Sequence, residues 1–362
     1  MELETWMFAL GEPIPCQWRA CTERFPPVRT DVYYDPAYCA TWLGWEDGTA
    51  VALYAHDEGI EFLYCFLLGE VPYACDPHWR YDAQSFYGYG GIITSAPAET
   101  QQLERFNAAI DRWMQEQGVV AEFIRAHPLL HSTPRWARTA EYHCVRTNVY
   151  ALPPQTALSA LDAATRRNIR RAERAGVRIE RLSAREGALI FSALYTRTAE
   201  RIGMDAFYRF PSSYFERSAD YLADRVEYRV AFTNGEPIAA LMLLKSQSTI
   251  TYHLGASDER WWHLRPNDML FASLLADAAA RHITAVSLGG GTTTDPNDSL
   301  YRYKSKFGNL HLPAFVGFRL HHRPTYEKLC AQWEREHPDN AARYGRYFLR
   351  YRVGLFEQKV AP

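Results

Sequence analysis

The residue types best suited to chemistry are concentrated between Ser287 and Gly308, a stretch that reads Ser-Leu-Gly-Gly-Gly-Thr-Thr-Thr-Asp-Pro-Asn-Asp-Ser-Leu-Tyr-Arg-Tyr-Lys-Ser-Lys-Phe-Gly. Lys304 and Lys306 stand among Tyr301, Tyr303 and Phe307. A cation among rings is partly desolvated and its field strengthened, which suits stabilising a developing negative charge; the alternative is an ordinary solvated lysine. Gly289, Gly290 and Gly291 sit at the end of an apolar run. Three glycines cost conformational entropy, so they point to close approach by a ligand or a neighbouring strand, or to a permissive turn. Arg166, Arg167, Arg170, Arg171 and Arg174 share one helical segment, where guanidinium forks can grip phosphate or carboxylate or simply form a solvated face. Tyr87 and Tyr89, in Tyr-Gly-Tyr-Gly-Gly, either line a cleft or pack a glycine turn. Arg125, His127 and His131 follow a predicted strand and read as loop or buried groups.

Several reaction classes are disfavoured. The chain has no G-x-S-x-G, H-E-x-x-H or G-x-x-x-x-G-K-[ST] motif, and no G-x-G-x-x-G after a strand, which disfavours serine hydrolases, zincins, P-loop NTPases and Rossmann dehydrogenases. Seven cysteines (Cys16, Cys21, Cys39, Cys65, Cys75, Cys144, Cys330) include no C-x-x-C pair, so neither a metal site nor a dithiol is expected. With 40 Lys and Arg against 42 Asp and Glu, no whole-protein cationic field draws DNA, though a local patch stays open. The acidic opening Met1-Glu2-Leu3-Glu4 lacks a basic leader, and apolar runs such as 62–69 are too short to cross a bilayer. A cytoplasmic protein without stable membrane insertion is expected.

The elements that must position these residues follow from periodicity. At 362 residues, two domains are favoured. Apolar runs 50–55 and 60–68 around Asp57-Glu58-Gly59 predict a hairpin. A helix is predicted over 97–117, with Leu103, Phe106, Ile110, Trp113 and Met114 on one face, then a strand over 119–125. Pro153-Pro154 marks a boundary or crossover. Helices are predicted over 158–175 and 185–202. Strands 228–232 and 237–244 flank Asn234-Gly235, a strong hairpin signal, and 249–254 is a third. A helix from Pro266 to His282 is expected to take Asn267 or Asp268 as its cap, and strand 286–288 leads into the three glycines. The segment 323–360 reads as helical and basic. The expected architecture is α/β, with domains over 1–150 and 151–320 and a helical segment over 321–362 packing back.

The triple glycine followed by Asp-Ser-Leu-Tyr-Arg-Tyr-Lys-Ser-Lys-Phe-Gly resembles the signature GG…(D/G)x-L-Y-x-F-K-x-x-F-G of the FemABX family, the aminoacyl-tRNA-dependent peptidyltransferases of peptidoglycan bridges, together with related acetyltransferase-like proteins. Residues 161–176, with Arg-Arg-Asn-Ile-Arg-Arg, are similar to that family's R-x-x-I-R-x-A helix. Residues 194–221, the run Tyr252-His253-Leu254-Gly255-Ala256 through Asn267, and the loop Tyr87–Gly91 agree as well. The resemblance spans about 30–320 and is specific over 161–308. It implies tandem GNAT-like (GCN5-related acetyltransferase) domains with mixed sheets flanked by helices. A GNAT pyrophosphate loop, (Q/R)-x-x-G-x-(G/A), has glycines where 260–268 here has none, and Pro266 lacks an amide donor. That counts against conventional CoA binding, and no cofactor or metal is expected. The coiled-coil arms of some family members are absent.

The implied reaction is attack of an amine on an activated ester or thioester carbonyl. Lys304 takes the place of the family's lysine and is expected to stabilise the oxyanion. Asp295 and Asp298 are candidates to orient the amine, or are loop carboxylates holding local amides. Arg209 lies near the position where the family binds precursor phosphates. Tyr87, Tyr89, Arg166, His253, Gly289, Gly290, Gly291, Tyr301 and Arg302 complete the expected substrate-binding set. The favoured donor is aminoacyl-tRNA and the acceptor an amine-bearing small molecule, sugar or peptide. The alternatives are an N-acyltransferase using a CoA or carrier-protein thioester, and a non-catalytic binding module of the same fold.

Overall fold

The computed structural model describes residues 1–73, 76–130, 140–153 and 157–355; Cys75, His131 and Pro154 lie outside them. The chain divides into two compact units, Met1–Cys144 with Ala314–Pro362, and Val145–Pro313. In the first unit β1 (Glu4–Ala9) precedes helices α1 (Cys16–Arg24) and α2 (Pro36–Leu43), none of which the hydrophobic pattern signals. Strands β2 (Thr49–Asp57) and β3 (Ile60–Glu70) form the expected hairpin. Its turn residues Glu58 and Gly59 both have positive φ, the conformation that matches the twist of the flanking strands. Next come β4 (Tyr81–Gln84), β5 (Ile92–Thr94), helix α3 (Thr100–Glu116) and β6 (Val119–Arg125). Phe106, Ile110 and Met114 of α3 bury against Val51, Leu53, Phe62, Tyr64 and Phe66, as the helical spacing requires.

β7 (Glu141–Ala151) leads into the second unit. Its sheet runs in the order β7, β12 (Ala285–Gly290), β11 (Thr249–Ser257), β10 (Glu236–Lys245), β9 (Val226–Thr233), β8 (Arg178–Leu182). β9 and β10 meet at the predicted hairpin, where Asn234 and Gly235 take positive φ. The pair β11–β12 is parallel, all its neighbours antiparallel. Helices α4 (Ala163–Arg174), α5 (Ala184–Arg201), α6 (Ser212–Leu222), α7 (Pro266–Ala280) and the short α8 (Ser299–Lys304) cover this sheet. Leu270, Leu274 and Leu275 of α7 and Ile169 of α4 pack with Leu241, Leu243, Ile250, Val286 and Leu288.

Two predicted helix starts are corrected. The segment 158–175 is a helical turn over 158–160 and then α4, because the Asp162 carboxylate accepts from the Thr165 amide (2.7 Å) and hydroxyl (3.0 Å) and so sets the start at Ala163. Asp162→Ala is expected to cost about 1 kcal/mol of stability, read as a lower denaturation midpoint at unchanged m-value. At the start of α7 neither Asn267 nor Asp268 caps. Arg265, in the left-handed region (φ 64°), precedes Pro266, whose missing amide proton would have had no helical partner. β13 (Leu310–Leu320) then pairs with β6 in the first unit. There α9 (Arg323–Glu336) and α10 (Pro338–Tyr344) follow, with Leu329, Trp333 and Tyr351 packed on Val120 and Ala121. No helix among the described residues is long and apolar enough to cross a membrane.

Candidate active site

β11 and β12 are paired only from Thr249–Ala285 to Thr251–Ser287. Beyond that point β12 continues along β7, with Gly289 opposite Val149 and Gly290 opposite Asn148, while β11 continues along β10. A cavity of about 240 Å³ lies beside the second half of β11. Its walls are Tyr252, Gly255, Ala256 and Ser257 of β11, Leu241 of β10, Thr198 of α5, Asn267 and Phe271 of α7, and Leu300, Tyr303 and Lys304 of α8. The spacing of 300, 303 and 304 puts these three side chains on one helix face. That signal identifies Tyr303 in the sequence; the motif had drawn attention to Tyr301 and Arg302 instead.

Lys304 is buried, 7% exposed, in the cavity wall. Its Nζ donates to the Gly290 carbonyl (2.8 Å) and lies 5.2 Å from the centre of the Tyr252 ring. Desolvation, helped by the nearby Arg146 charge and opposed by Asp298, brings its pKa down to about 7. An ammonium in that condition has two donors left after Gly290 and can release its proton near neutrality. Desolvation also raises the Tyr252 hydroxyl to about 12, so it stays a neutral donor.

Two of the three glycines are required by close packing within the protein, and the first by its backbone conformation. A Cβ on Gly290 would come within 2.7 Å of Asn148 Oδ1 and 2.8 Å of the Thr147 carbonyl on β7. A Cβ on Gly291 would meet the Asp298 carboxylate at 2.6 Å and Tyr301 Cβ at 2.9 Å. Gly289 has φ +69°, with the Lys304 Nζ 3.1 Å from where a Cβ would sit. Of the two readings of close approach, a neighbouring strand and helix, with no ligand involved, account for Gly290 and Gly291.

Asp298 caps α8. Its carboxylate accepts from the amides of Tyr301 and Thr292 (both 2.9 Å) and from the Thr292 hydroxyl, which together bring its pKa down to about 2. The exposed Asp295 accepts from the Asn297 amide (2.8 Å). Both carboxylates thus hold local amides, the second of the two roles open to them, and neither lines the cavity. Tyr301 bonds His311 Nδ1 (3.0 Å), and Arg302 is exposed. His253, adjacent in sequence to the cavity residue Tyr252, instead bonds the Tyr214 hydroxyl of α6 (3.0 Å); desolvation pushes its pKa down to about 3, which keeps the ring neutral. Arg166 donates to the carbonyls of Ser159 and Leu161, and Arg209 to that of Met204 (2.6 Å). Tyr87 stacks on Trp42 and Tyr89 packs edge-on to Tyr33 and His127, all in the first unit.

At the start of α7, where a GNAT pyrophosphate loop would lie, stands the buried carboxyl of Asp268. Desolvation raises its pKa, and Asn168 of α4 donates to it (3.3 Å). An acidic group on the first helical turn opposes a bound phosphate, where a bare helix N-terminus would attract one.

Comparison with known proteins bears on the fold that carries this site. Residues 161–305 match the family model described as Acetyltransferase (GNAT) domain. A search of curated proteins found no match. Among solved structures, FemX aligns with a TM-score of 0.68 at 16% identity, over 91% of this chain and 99% of its own. The C-terminal domain of a putative lysylphosphatidylglycerol synthetase from Agrobacterium fabrum aligns at 0.52 and 13% identity, over 82% and 91% of the two chains. L-PGS from Bacillus licheniformis aligns at 0.51 and 14%, over 86% and 93%. At these identities the likeness concerns the fold, and it agrees with the resemblance carried by the glycine–lysine motif. Residues 161–305 thus match an acetyltransferase (GNAT) domain, in a chain that has the fold of FemX.

Proposed function

We propose that the protein is an aminoacyltransferase that moves an aminoacyl group from aminoacyl-tRNA to the amine of a small-molecule, sugar or peptide acceptor, in the cytoplasm where such donors are found. The observation that carries this reading is Lys304, a buried lysine with a pKa near 7 in the wall of a cavity beside the parting strands β11 and β12. The acceptor nitrogen attacks the ester carbonyl, and the Lys304 ammonium holds the developing oxyanion. As the intermediate collapses, the C–O bond breaks and the C–N bond remains. The proton lost by the amine balances the one taken up by the leaving ribose hydroxyl. Ester-to-amide exchange is downhill, so the step needs no nucleotide hydrolysis. Asp298 positions Lys304 through the start of α8; at a pKa of about 2 it is a poor proton acceptor at neutral pH.

A thioester donor is the second reading, favoured by the match of 161–305 to an acetyltransferase family and opposed by Asp268 and the glycine-free turn before it. The deciding experiment presents mixed aminoacyl-tRNA, acetyl-CoA and an acyl-carrier protein in parallel, with a panel of amines. Amide formation from aminoacyl-tRNA alone is the expected result. Transfer from either thioester, with none from tRNA, replaces the first reading by the second. Retention of full activity by Lys304→Met removes Lys304 from the mechanism.

A further inference from the structure

Helix α4 turns an uninterrupted arginine face to solvent. At about 100° per residue, Arg170, Arg174, Arg167 and Arg171 fall on an arc of about 100° directly opposite Thr165, Ile169 and Ala172, the residues it buries. All four arginines are exposed. None of them forms an ion pair among the described residues, whereas Arg181, Arg185 and Arg229 of the same unit are each bonded to a carboxylate. Arg166, on the edge of the arc, is taken up by the carbonyls of Ser159 and Leu161.

The helix lies beside the cavity end of α7, to which Asn168 ties it through Asp268; the next residue to Asp268, Asn267, is a cavity wall. Two further cations lie near this junction. Lys306 Nζ sits 5.5 Å from the ring centre of Tyr303, another wall residue. Its charge is felt by both Asp162, the cap of α4, and Asp268, and that of the exposed Arg265 by Asp268. Positive charge thus stands near the cavity wall as well as on the arginine face.

We propose that this face, Arg167, Arg170, Arg171 and Arg174, is a docking surface for the phosphodiester backbone of an RNA whose 3′ end enters the cavity; the assignment rests on the aminoacyl-tRNA reading of the site. Guanidinium forks match phosphate oxygens in pairs. The arc carries no aromatic or large aliphatic residue to enter a bilayer, since the apolar side of α4 is spent on the core, and a membrane-surface helix needs both faces.

The test measures binding of deacylated bulk tRNA, by fluorescence anisotropy between 50 and 200 mM salt, to the full-length wild type, to the fourfold Arg→Gln variant, to the fourfold Arg→Lys variant and to Arg185→Gln. Glutamine keeps helix propensity, and far-UV circular dichroism checks folding. Each phosphate contact contributes roughly 0.7–0.9 to the slope of log K against log salt, so the Gln variant is expected to lose about 3 from that slope and, at 50 mM salt, on the order of 10³–10⁴ in affinity. The Lys variant is expected to retain most of the slope, and Arg185→Gln all of it. Tight tRNA binding by the wild type with an unchanged slope in the Gln variant overturns the docking surface and leaves the donor reading intact. No tRNA binding by the wild type overturns both, and binding of vesicles of anionic lipid that depends on the four arginines assigns the face to a membrane instead.

Discussion

Lys304→Met is expected to lower kcat about 10²–10³-fold, the usual cost of removing one fixed donor from a developing oxyanion, while leaving the protein folded. Methionine is close to lysine in length and fills the same buried space between Gly290 and Tyr252. It also removes a desolvated charge, so the variant is expected to be more stable than the wild type at pH 6–7. The direction follows from linkage. The Lys304 pKa is about 7 in the folded chain against an ordinary value of 10.5, so between those two values the unfolded state binds more protons. Wild-type stability therefore rises with pH across that window, by an amount on the order of a few kcal/mol, and the burial penalty is fully present below pH 7. The variant lacks this rise. Denaturation midpoints of the two proteins from pH 6 to 10 measure the difference. In activity, kcat/KM of the wild type is expected to fall above an apparent pKa near 7 as the ammonium is lost. A profile that climbs through that range and stays level makes the neutral amine the working form and overturns the oxyanion role.

Gly291→Ala is expected to remove most of the activity and to destabilise the protein by about 1–3 kcal/mol, as overpacking at a tight site does. The new Cβ would lie 2.6 Å from Asp298 Oδ1 and 2.9 Å from Tyr301 Cβ. Neither can step aside cheaply, since Asp298 is held by Thr292 and by the Tyr301 amide, and Tyr301 belongs to the first turn of α8. Relief comes by shifting α8 as a body, and Lys304 moves with it. A displacement of about 1 Å at a catalytic group can cost on the order of 10² in rate. A thermal melt paired with single-turnover transfer separates the two effects. An unshifted melt with full activity contradicts the packing described for this turn.

Much of both units is legible in the sequence because the interactions that set those parts are local. Asn234-Gly235 and Glu58-Gly59 specify turns whose twist suits a hairpin. Leu103 to Met114 carry the helical spacing that α3 buries. The triple glycine and the lysine thirteen residues after its last member form a motif distinctive enough to announce the GNAT-type domain that the family comparison finds over 161–305. What the same reading missed is non-local. β1, α1 and α2 are short, and the runs that form them lack a clean period. The choice between Tyr252 and His253 depends on which face of β11 meets the cavity and which meets α6, and residues nearly forty positions away decide it.

The chain read alone already holds the chemical inventory: two lysines in a glycine–aromatic motif, an arginine-rich helix, no nucleophile elbow and no metal-ligand spacing. It also determined the hairpins and most of the helices, through contacts made within a few residues. What these groups become depends on the fold. Folding removes water from around Lys304 and brings its pKa near neutrality, commits Asp298 and Asp295 to backbone amides, and brings β7 against Gly290 so that no side chain fits there. Desolvation and close packing depend on chain segments more than a hundred residues apart in sequence, such as Arg146 and Lys304, and local propensity carries no record of which segments will meet.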